Sequence, residues 1–272
     1  MNQETLQRLL PQACLLARQA GRAIMGIYRQ GFTVDAKADA SLITPADRRA
    51  NLLLRDGLAR LGPPLPIISE ETAAPAFSER RTWRRYWLLD PLDGTREFVR
   101  RSDQFTVNIA LVEDHRPVLG IVHAPALGQT WFGGPTLGAF RQPEGGEPEP
   151  IRVRPSASHP LRVVLGRSHP GPRTRGTLAQ LPSHETAIWG ASLKFCLIAE
   201  GSADFFPRYG PISEWDMGAP QAILEAAGGF VTDMTHLQPI RYNTRDALTT
   251  QNILAFADDS VDWRRYLTPE SD

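Results

Sequence analysis

The chain has 272 residues, 42% of them hydrophobic, which is enough for a sizeable core in one large domain or two closely joined ones. Thirty basic residues balance thirty acidic ones, and this net charge of zero excludes the chain-wide basic field that nucleic acid polymers require. No stretch approaches the roughly 20 apolar residues of a membrane span, and the N-terminus lacks the pattern of a secretory signal.

The first part of the chain has the apolar period of amphipathic helices. This period predicts a helix over residues 5–30. A second helix is predicted to start at Thr44 as N-cap, with Pro45 at the first helical position and Asp47 in the first turn. Gly62 and the prolines after it end this helix.

The middle of the chain is rich in short apolar strands. Residues 105–112 and 117–124 predict a hairpin with a turn near Asp114. Residues 141–150 are rich in Pro, Gly and Glu and predict a surface loop. This loop is the candidate boundary between an N-terminal subdomain, 1–150, and a C-terminal subdomain, 151–272. Further strands are predicted at 66–69, 86–89, 130–132 and 137–141.

The last part of the chain alternates between strands and helices, which favours layered sheets and helices. The predicted strands are 161–166, 203–206, 230–232 and 252–257, and the predicted helices are 172–181, 191–200 and 216–227.

Two carboxylates follow one of the apolar strands closely. Asp90 ends the strand, Pro91 interrupts the ladder and favours a turn, and Asp93 comes three residues after Asp90. Carboxylates this close repel each other unless a cation lies between them, and Mg²⁺ prefers such hard oxygen ligands. Gly94 allows tight backbone geometry, and Thr95 is predicted to N-cap a helix whose amides face an anion. An ordinary Asp-Pro turn is the alternative.

Further acidic residues lie at the ends of other predicted elements. Glu70 and Glu71 end a strand, Asp216 opens a helix, and Asp47 lies in a first helical turn. Each has an ordinary explanation by itself, as a surface acid, an N-cap or a complement to the helix dipole. Together with Asp90, they predict a magnesium site with more than one ion, and such sites hydrolyse phosphate esters.

Residues 92–95 are also similar to the motif of the haloacid dehalogenase phosphatases. That motif is Asp-x-Asp-x-Thr, and its first aspartate is a covalent nucleophile. Pro91 stands at the position of this nucleophile here, so the sequence disfavours that mechanism.

The same segments resemble the lithium-sensitive inositol monophosphatase superfamily. Residues 90–95 resemble its first signature, and residues 215–220 with 227–229 resemble its second. Glu70 stands where the family has a metal-binding glutamate. The segments follow the family's order at roughly its spacing, so the resemblance covers most of the chain. It implies an α+β fold, a layered αβαβα sandwich of the inositol monophosphatase and fructose-1,6-bisphosphatase type, in one compact unit.

Within the superfamily the chain is most similar to the CysQ-type branch, the 3'(2'),5'-bisphosphate nucleotidases. Residues 96–98 have a basic residue before Glu-Phe, as that branch does, where inositol phosphatases usually have Thr-Asn-Phe. Residues 105–110, 167–169 and 192–196 also match the branch. Ala191 replaces a serine that relatives often carry, which removes one hydroxyl near the implied nucleotide site.

The resemblance implies specific roles for the acidic residues. The implied ligands of two or three Mg²⁺ ions are the side chains of Glu70, Asp90, Asp93 and Asp216 with the carbonyl of Leu92. Glu70 and Thr95 would orient or activate the attacking water, and Asp47 would hydrogen-bond Thr95 and raise its basicity.

The resemblance also implies how the substrate is held. The backbone amides of Gly94 and Thr95 would hold the scissile phosphate, and Ser192, Lys194 and Arg208 would contact the rest of a bisphosphate nucleotide. The implied reaction is hydrolysis of the 3'(2')-phosphate of adenosine 3',5'-bisphosphate, or of its sulfated form, by metal-activated water.

The expected partner is therefore a small phosphomonoester and not a nucleic acid polymer. Cys14 and Cys196 lie in apolar surroundings and are expected to be buried reduced thiols, which fits a cytoplasmic protein. The chain is expected as a monomer or homodimer, and peripheral contact with the inner face of the membrane is left open.

Two alternatives remain at this stage. One is the same metal chemistry on an inositol phosphate or another sugar phosphate, and the other is a catalytically silent nucleotide-binding regulator with this fold. The presence of every implied metal ligand argues against the silent regulator. Phosphate release from a bisphosphate nucleotide and from inositol 1-phosphate separates the two enzymatic hypotheses.

Overall fold

The computed structural model describes residues 1–37, 41–155 and 160–269. The helices are α1 (Gln3–Gln30), α2 (Pro45–Leu58), α3 (Phe77–Arg80), α4 (Thr95–Val99), α5 (Pro172–Gln180), α6 (Leu193–Ala199) and α7 (Glu214–Ala226), with a 3₁₀ turn at Trp263–Tyr266. The strands are β1 (Asp35–Ala36), β2 (Leu42–Ile43), β3 (Ile67–Ser69), β4 (Arg85–Asp93), β5 (Thr106–Glu113), β6 (Arg116–Ala124), β7 (Gln129–Gly134), β8 (Gly138–Pro143), β9 (Glu149–Pro150), β10 (Leu161–Leu165), β11 (His184–Ile188), β12 (Phe205–Ser213), β13 (Phe230–Asp233) and β14 (Thr249–Phe256).

Helices and sheets alternate in five layers. The helices α1 and α2 pack on one face of a seven-stranded sheet with the order β3-β4-β5-β6-β7-β8-β9. The helices α6 and α7 lie between this sheet and a five-stranded sheet with the order β11-β10-β12-β14-β13. The helix α5 and the 3₁₀ turn cover the far face of the second sheet. The predicted layered αβαβα arrangement of the α+β class is therefore confirmed.

The two N-terminal helices follow the capping chemistry of their sequences. Asn2 caps α1 by accepting a hydrogen bond from the Thr5 amide at 3.1 Å. Thr44 caps α2 in a capping box, in which the carboxylate of Asp47 accepts from the Thr44 amide at 2.7 Å. Both predicted helices are confirmed, and α1 buries one continuous apolar stripe against α2 and the larger sheet.

The hairpin of β5 and β6 is also confirmed. The strands pair antiparallel, and Asp114 and His115 both have positive φ angles in the turn, 48° and 67°.

The strand that carries the two close aspartates is longer than the sequence predicts. Pro91 was expected to end the ladder after Asp90, but β4 continues to Asp93, which pairs with Thr106. The register shifts between Asp90 and Asp93, so Pro91 lies in a bulge. The prediction is wrong because a bulge needs no ladder hydrogen bond from the proline nitrogen.

Two predicted helix starts are displaced. Gly94, with a φ of +89°, occupies the N-cap position of α4, and Thr95 is the first helical residue rather than the cap. Asp216 was predicted to open its helix, but Ser213 is the N-cap and α7 begins at Glu214. Both shifts move the functional side chain into the first helical turn.

Two further predictions need correction. The segment 141–150 is not a loop throughout, because β8 and β9 pair antiparallel through Phe140–Pro150 and Arg141–Glu149. The strand β11 is missing from the sequence prediction, since four of its five residues are exposed and it lacks an apolar face. It forms nonetheless, as a parallel edge strand beside β10.

The division at residue 150 remains a proposal. The larger sheet ends at Pro150 and the smaller one begins at Leu161, while one hydrophobic cluster draws residues from both sheets. Cys14 and Cys196 are buried and free, as predicted, and burial raises the pKa of the Cys14 thiol to about 12. None of the helices in the described ranges combines the length and hydropathy of a membrane span.

Candidate active site

Three of the four acidic residues predicted to bind metal, Glu70, Asp90 and Asp216, converge at one edge of the seven-stranded sheet. The strands β3 and β4 are parallel neighbours, so their carboxyl ends reach this edge together. Glu70 follows β3 and donates its amide to the Leu89 carbonyl at 3.2 Å, directly before Asp90. From the layer between the sheets, α7 contributes Asp216. One ligand oxygen from each of Glu70, Asp90 and Asp216 lies within 4.8 Å of the others.

These carboxylates share a strongly unfavourable electrostatic environment. Burial raises the pKa of Asp90 well above its ordinary value, and the charges of Glu70, Asp93 and Asp216 raise it further. Burial also raises the pKa of Asp216, followed by the charges of Asp93 and Glu70, while Lys194 opposes them. Asp93 therefore belongs to the same cluster electrostatically.

The donor set fits Mg²⁺. Its members are hard carboxylate oxygens that lie close together, and the Asp90 side chain is only 1% exposed. A bound cation would remove the mutual repulsion of these carboxylates. The Leu92 carbonyl lies in the same bulge, where the Leu92 amide donates to Asp90 Oδ1 at 3.0 Å.

Thr95 joins the metal-binding strand to α2. Its hydroxyl lies 3.2 Å from Asp47 Oδ1 and 3.3 Å from the Leu92 carbonyl oxygen, and its single proton can be donated to either acceptor. Asp47 is 1% exposed, and burial raises the pKa of its carboxyl although hydrogen bonds from Thr44 and Thr95 oppose this effect. The structure thus contains the Asp47–Thr95 hydrogen bond that the resemblance implies.

A glycine is required at position 94, where the start of α4 approaches the turn before α6. Its φ of +89° is unfavourable for other residues, and a Cβ atom there would lie 3.1 Å from the Gln104 carbonyl oxygen and 3.2 Å from Ala191 Cβ. The first amides of α4 therefore come close to the turn that precedes α6.

Lys37 is a site residue that the sequence analysis missed. Its ammonium lies 2.8 Å from Glu70 Oε1 and 2.7 Å from Glu71 Oε1. The sequence did carry a signal, because Lys37 and Lys194 are its only lysines among 30 basic residues, and both lie at the site. Asn108 was missed as well. It is an uncharged polar residue inside an apolar strand, and a buried amide there must find hydrogen-bond partners.

A cleft of about 660 Å³ opens beside the carboxylates, between the two sheets. Asp93 and Asp216 lie at one part of its wall. The cationic residues of the wall are Arg96, Arg167, Arg173, Lys194 and Arg208. An anion with two separated phosphate groups matches this distribution of charge, because metal ions can hold one phosphate and the cations the other.

The predicted substrate residues lie at this cleft in different environments. Lys194 is half-buried, its ammonium lies 5.4 Å from the centre of the Phe206 ring, and burial lowers its pKa while the charge of Asp93 opposes the shift. Arg208 is exposed and donates to the Pro211 carbonyl at 3.0 Å. Ser192 is 1% exposed, and its hydroxyl is hydrogen-bonded to Asp93.

Besides Arg96, two arginines of the cleft were not predicted as site residues. The guanidinium of Arg173 stacks 4.4 Å from the centre of the Tyr209 ring. Arg167 donates to Gln104 Oε1 at 3.1 Å, and the same oxygen accepts from the Gly190 amide at 2.9 Å. Arg167 lies in one of the segments used for the resemblance, whereas no motif distinguishes Arg173 from the many other arginines.

Known proteins are similar to this chain over nearly its whole length. The profile of the inositol monophosphatase family matches residues 5–261. The 3'(2'),5'-bisphosphate nucleotidase CysQ of Escherichia coli strain K12 is 44% identical over 241 residues, which cover 88% of this chain and 96% of that protein.

Solved structures give the same result. The crystal structure of CysQ from Bacteroides thetaiotaomicron has a TM-score of 0.79 and 34% identity, covering 90% of this chain and 96% of that one. An inositol monophosphatase of Thermotoga maritima has a TM-score of 0.74 at 27% identity, covering 90% of each chain.

Proposed function

This chain belongs to the inositol monophosphatase family, and we propose that it is a 3'(2'),5'-bisphosphate nucleotidase that hydrolyses the 3'(2')-phosphate of adenosine 3',5'-bisphosphate or of its sulfated form. The observation that carries the proposal is the cleft, whose wall combines Asp93 and Asp216 with five cationic side chains. The identity to CysQ nucleotidases favours a nucleotide over an inositol phosphate.

Mg²⁺ is the proposed cofactor, with two or three ions held by Glu70, Asp90, Asp93, Asp216 and the Leu92 carbonyl. When bound, these ions would lower the pKa of a water molecule and neutralise charge on the phosphoryl oxygens.

The chain's own residues prepare the reaction in three ways. Thr95 donates its proton to Asp47 or to the Leu92 carbonyl, so its lone pairs remain able to accept a hydrogen bond from the attacking water. Glu70, which follows the neighbouring strand β3, would orient the same water. The amides of Gly94 and Thr95 at the start of α4 hold the scissile phosphate.

The second phosphate is assigned to the cationic residues of the cleft. Lys194 lies on α6 and Arg208 on β12, whereas Asp90 and Asp93 both lie on β4. An additional anionic group on the sulfated substrate would face Arg167 and Arg173. The resident compartment is proposed to be the cytoplasm, in accord with the two free thiols.

The test is phosphate release from adenosine 3',5'-bisphosphate, with inositol 1-phosphate and adenosine 5'-monophosphate beside it, with and without Mg²⁺. We expect Mg²⁺-dependent release from the bisphosphate only, and inhibition by Li⁺, which is typical of the family. Preference for inositol 1-phosphate would replace the nucleotide assignment while keeping the metal chemistry. Nucleotide binding without phosphate release would contradict the enzymatic proposal altogether.

A further inference from the structure

A chain of buried hydrogen bonds ends on the carboxylate of Asp93. The Thr106 hydroxyl donates to Asn108 Oδ1 at 3.0 Å, and Asn108 Nδ2 donates to Ser192 Oγ at 2.8 Å. Ser192 Oγ in turn donates to Asp93 Oδ2 at 2.5 Å. Thr106 and Asn108 are fully buried and Ser192 is 1% exposed. We call these three residues the Asp93 relay.

The relay has a defined direction. Because a carboxylate only accepts hydrogen bonds, the Asn108 atom beside Asp93 must be the amide nitrogen, and Asn108 Oδ1 is then left to accept from the Thr106 hydroxyl. This nitrogen also lies 3.4 Å from Asp93 Oδ2. Both donors therefore converge on the same oxygen of Asp93, which leaves Oδ1 as the ligand atom. Both donors are neutral, so the carboxylate keeps its full charge for a cation.

Ser192 also connects Asp93 to the other half of the metal site. Its hydroxyl lies 2.9 Å from the carbonyl oxygen of Asp216, at the start of α7. Asp93 belongs to the larger sheet, whereas Asp216 belongs to the layer between the sheets. One buried hydroxyl therefore contacts the elements that deliver two of the proposed ligands, and it fixes their separation.

The single proton of the Ser192 hydroxyl is used within this network. A hydroxyl has one proton and two lone pairs. The proton serves Asp93 or Asp216, and a lone pair accepts the amide of Asn108. By contrast, Lys194 and Arg208 present charged groups to the cleft.

We propose that Ser192 is a positioning residue of the metal site, and that Asn108, oriented by Thr106, holds it in place. This inference rests on the proposed function, since it takes Asp93 as a magnesium ligand. It assigns Ser192 to the ion instead of the nucleotide, and it gives Thr106 and Asn108 a role in metal affinity although neither has been placed at the substrate.

The experiment compares Ser192→Ala and Thr106→Val with the unchanged protein. Binding of Mg²⁺ to the metal-free protein is measured by titration calorimetry, and KM and kcat for adenosine 3',5'-bisphosphate are measured at saturating Mg²⁺. We expect Ser192→Ala to weaken Mg²⁺ binding roughly 10- to 100-fold, the usual effect of removing a partner of a metal ligand, with KM changed less than about twofold. Thr106→Val should act in the same direction, roughly threefold to tenfold.

Two controls complete the design. Ser202→Ala removes an exposed hydroxyl that bonds only locally, to Glu200 at 2.9 Å, and should change neither Mg²⁺ binding nor KM. Lys194→Met should show a different pattern, with a raised KM and Mg²⁺ binding that is not weakened, because it removes a positive charge that acts on Asp93 and Asp216. Thermal unfolding of each variant verifies that it is folded, and Thr106→Val keeps the test decisive if Ser192→Ala unfolds.

A raised KM with unchanged Mg²⁺ affinity in Ser192→Ala would overturn the proposal and make Ser192 a nucleotide ligand. Unchanged Mg²⁺ affinity in Thr106→Val would remove the relay. Failure of the proposed function has a different signature, because a protein that binds Mg²⁺ but does not hydrolyse the nucleotide leaves the calorimetric comparison intact.

Discussion

At the scale of single residues, three features of the backbone determine the position of the Thr95 hydroxyl. The positive φ of Gly94 turns the chain, the bulge after Asp90 brings the Leu92 carbonyl close, and the capping box of α2 places Asp47 opposite. The hydroxyl of Thr95 then has two acceptors at 3.2 and 3.3 Å. Its geometry is therefore fixed by elements on both sides of the site.

This arrangement predicts that the hydroxyl of Thr95, and not its methyl group, supports catalysis. Thr95→Val keeps the shape but removes the donor, so kcat on adenosine 3',5'-bisphosphate should fall about 100-fold, the usual order for a positioned proton-transfer group. Thr95→Ser keeps the hydroxyl and should retain at least about a tenth of the activity. Equal losses in both variants would assign Thr95 to packing.

Single residues differed in how well the sequence predicted them. Asp90 and Asp216 could be found because several acids at strand ends and helix starts, each ordinary by itself, together predict a magnesium site. Lys37 could not be placed by pattern, since its partners Glu70 and Glu71 lie more than thirty residues away and only the fold brings them together. The Thr95–Asp47 contact depended on the resemblance for the same reason.

At the scale of elements, α7 must approach the larger sheet very closely to deliver Asp216. A Cβ atom at Gly120 of β6 would lie 2.1 Å from the Ala219 carbonyl oxygen of α7. A Cβ atom at Gly218 would lie 2.9 Å from Leu88 Cδ2. The glycines on both partners allow this approach.

We therefore expect Gly120→Ala to push α7 away from the sheet. The carbonyl of α7 cannot rotate out of the contact, so unfolding free energy should fall by about 1–3 kcal/mol and Mg²⁺ binding should weaken. Gly26→Ala is the matched control, since Gly26 lies in α1 with no atom within 4 Å of the added Cβ. It should stabilise the protein by about 0.5–1 kcal/mol. Denaturant unfolding measures both, and similar effects of the two variants would contradict this packing argument.

The first residue of α7 is also sensitive to pH. Glu214 is 3% exposed and accepts the Asn243 amide at 2.9 and 3.0 Å, and burial raises its pKa to about 7. The pKa of this carboxyl is higher in the folded protein than in the unfolded chain. The free energy of unfolding therefore falls as the pH rises from about 4.5, the unfolded value, to about 7, the folded value.

Glu214→Gln removes this loss, because the amide oxygen can still accept from Asn243 but carries no charge. Relative to the unchanged protein, the variant should gain up to about 3 kcal/mol of unfolding free energy between pH 4.5 and pH 8. Urea unfolding at several pH values in the presence of a chelator measures the difference. A constant difference across this range would mean that Glu214 does not titrate there.

The errors at element scale share a physical origin. Predictions based on apolar periodicity succeeded for α1, β5 and β6, whose buried faces are continuous. They failed for β11, which is held by pairing with β10 and not by an apolar face, and for the end of β4, where a bulge accommodates Pro91. Pairing between strands is a tertiary property that local sequence does not contain.

The whole molecule brings together acidic groups that repel each other before a cation is bound. Glu70, Asp90 and Asp93 come from the larger sheet and Asp216 from the layer between the sheets, so folding itself creates the crowded charge. The raised pKa values of Asp90 and Asp216 mean that the metal-free fold is less stable when both carboxyls are ionised.

This crowding predicts that Mg²⁺ stabilises the protein more strongly at pH 8 than at pH 5. The folded carboxyls keep protons above their ordinary pKa of 3.8, so metal-free stability falls as pH rises, and at pH 5 the ion must displace those protons. At pH 8 and a Mg²⁺ concentration of about 100 times Kd, the gain should be about 2.7 kcal/mol, or roughly 5–10 °C in Tm.

Calorimetry of the metal-free and Mg²⁺-loaded protein at both pH values, with NaCl matched in ionic strength, provides the measurement. The variant Asp90→Asn tests the cause, because it removes one buried charge. It should raise the Tm of the metal-free protein at pH 8, reduce the Mg²⁺-induced shift and abolish turnover. Asp56→Asn changes an exposed acid on α2 and should alter none of the three. An equal Mg²⁺-induced shift at pH 5 and pH 8 would show that the ion does not bind at these carboxylates, since only there does it compete with their protons.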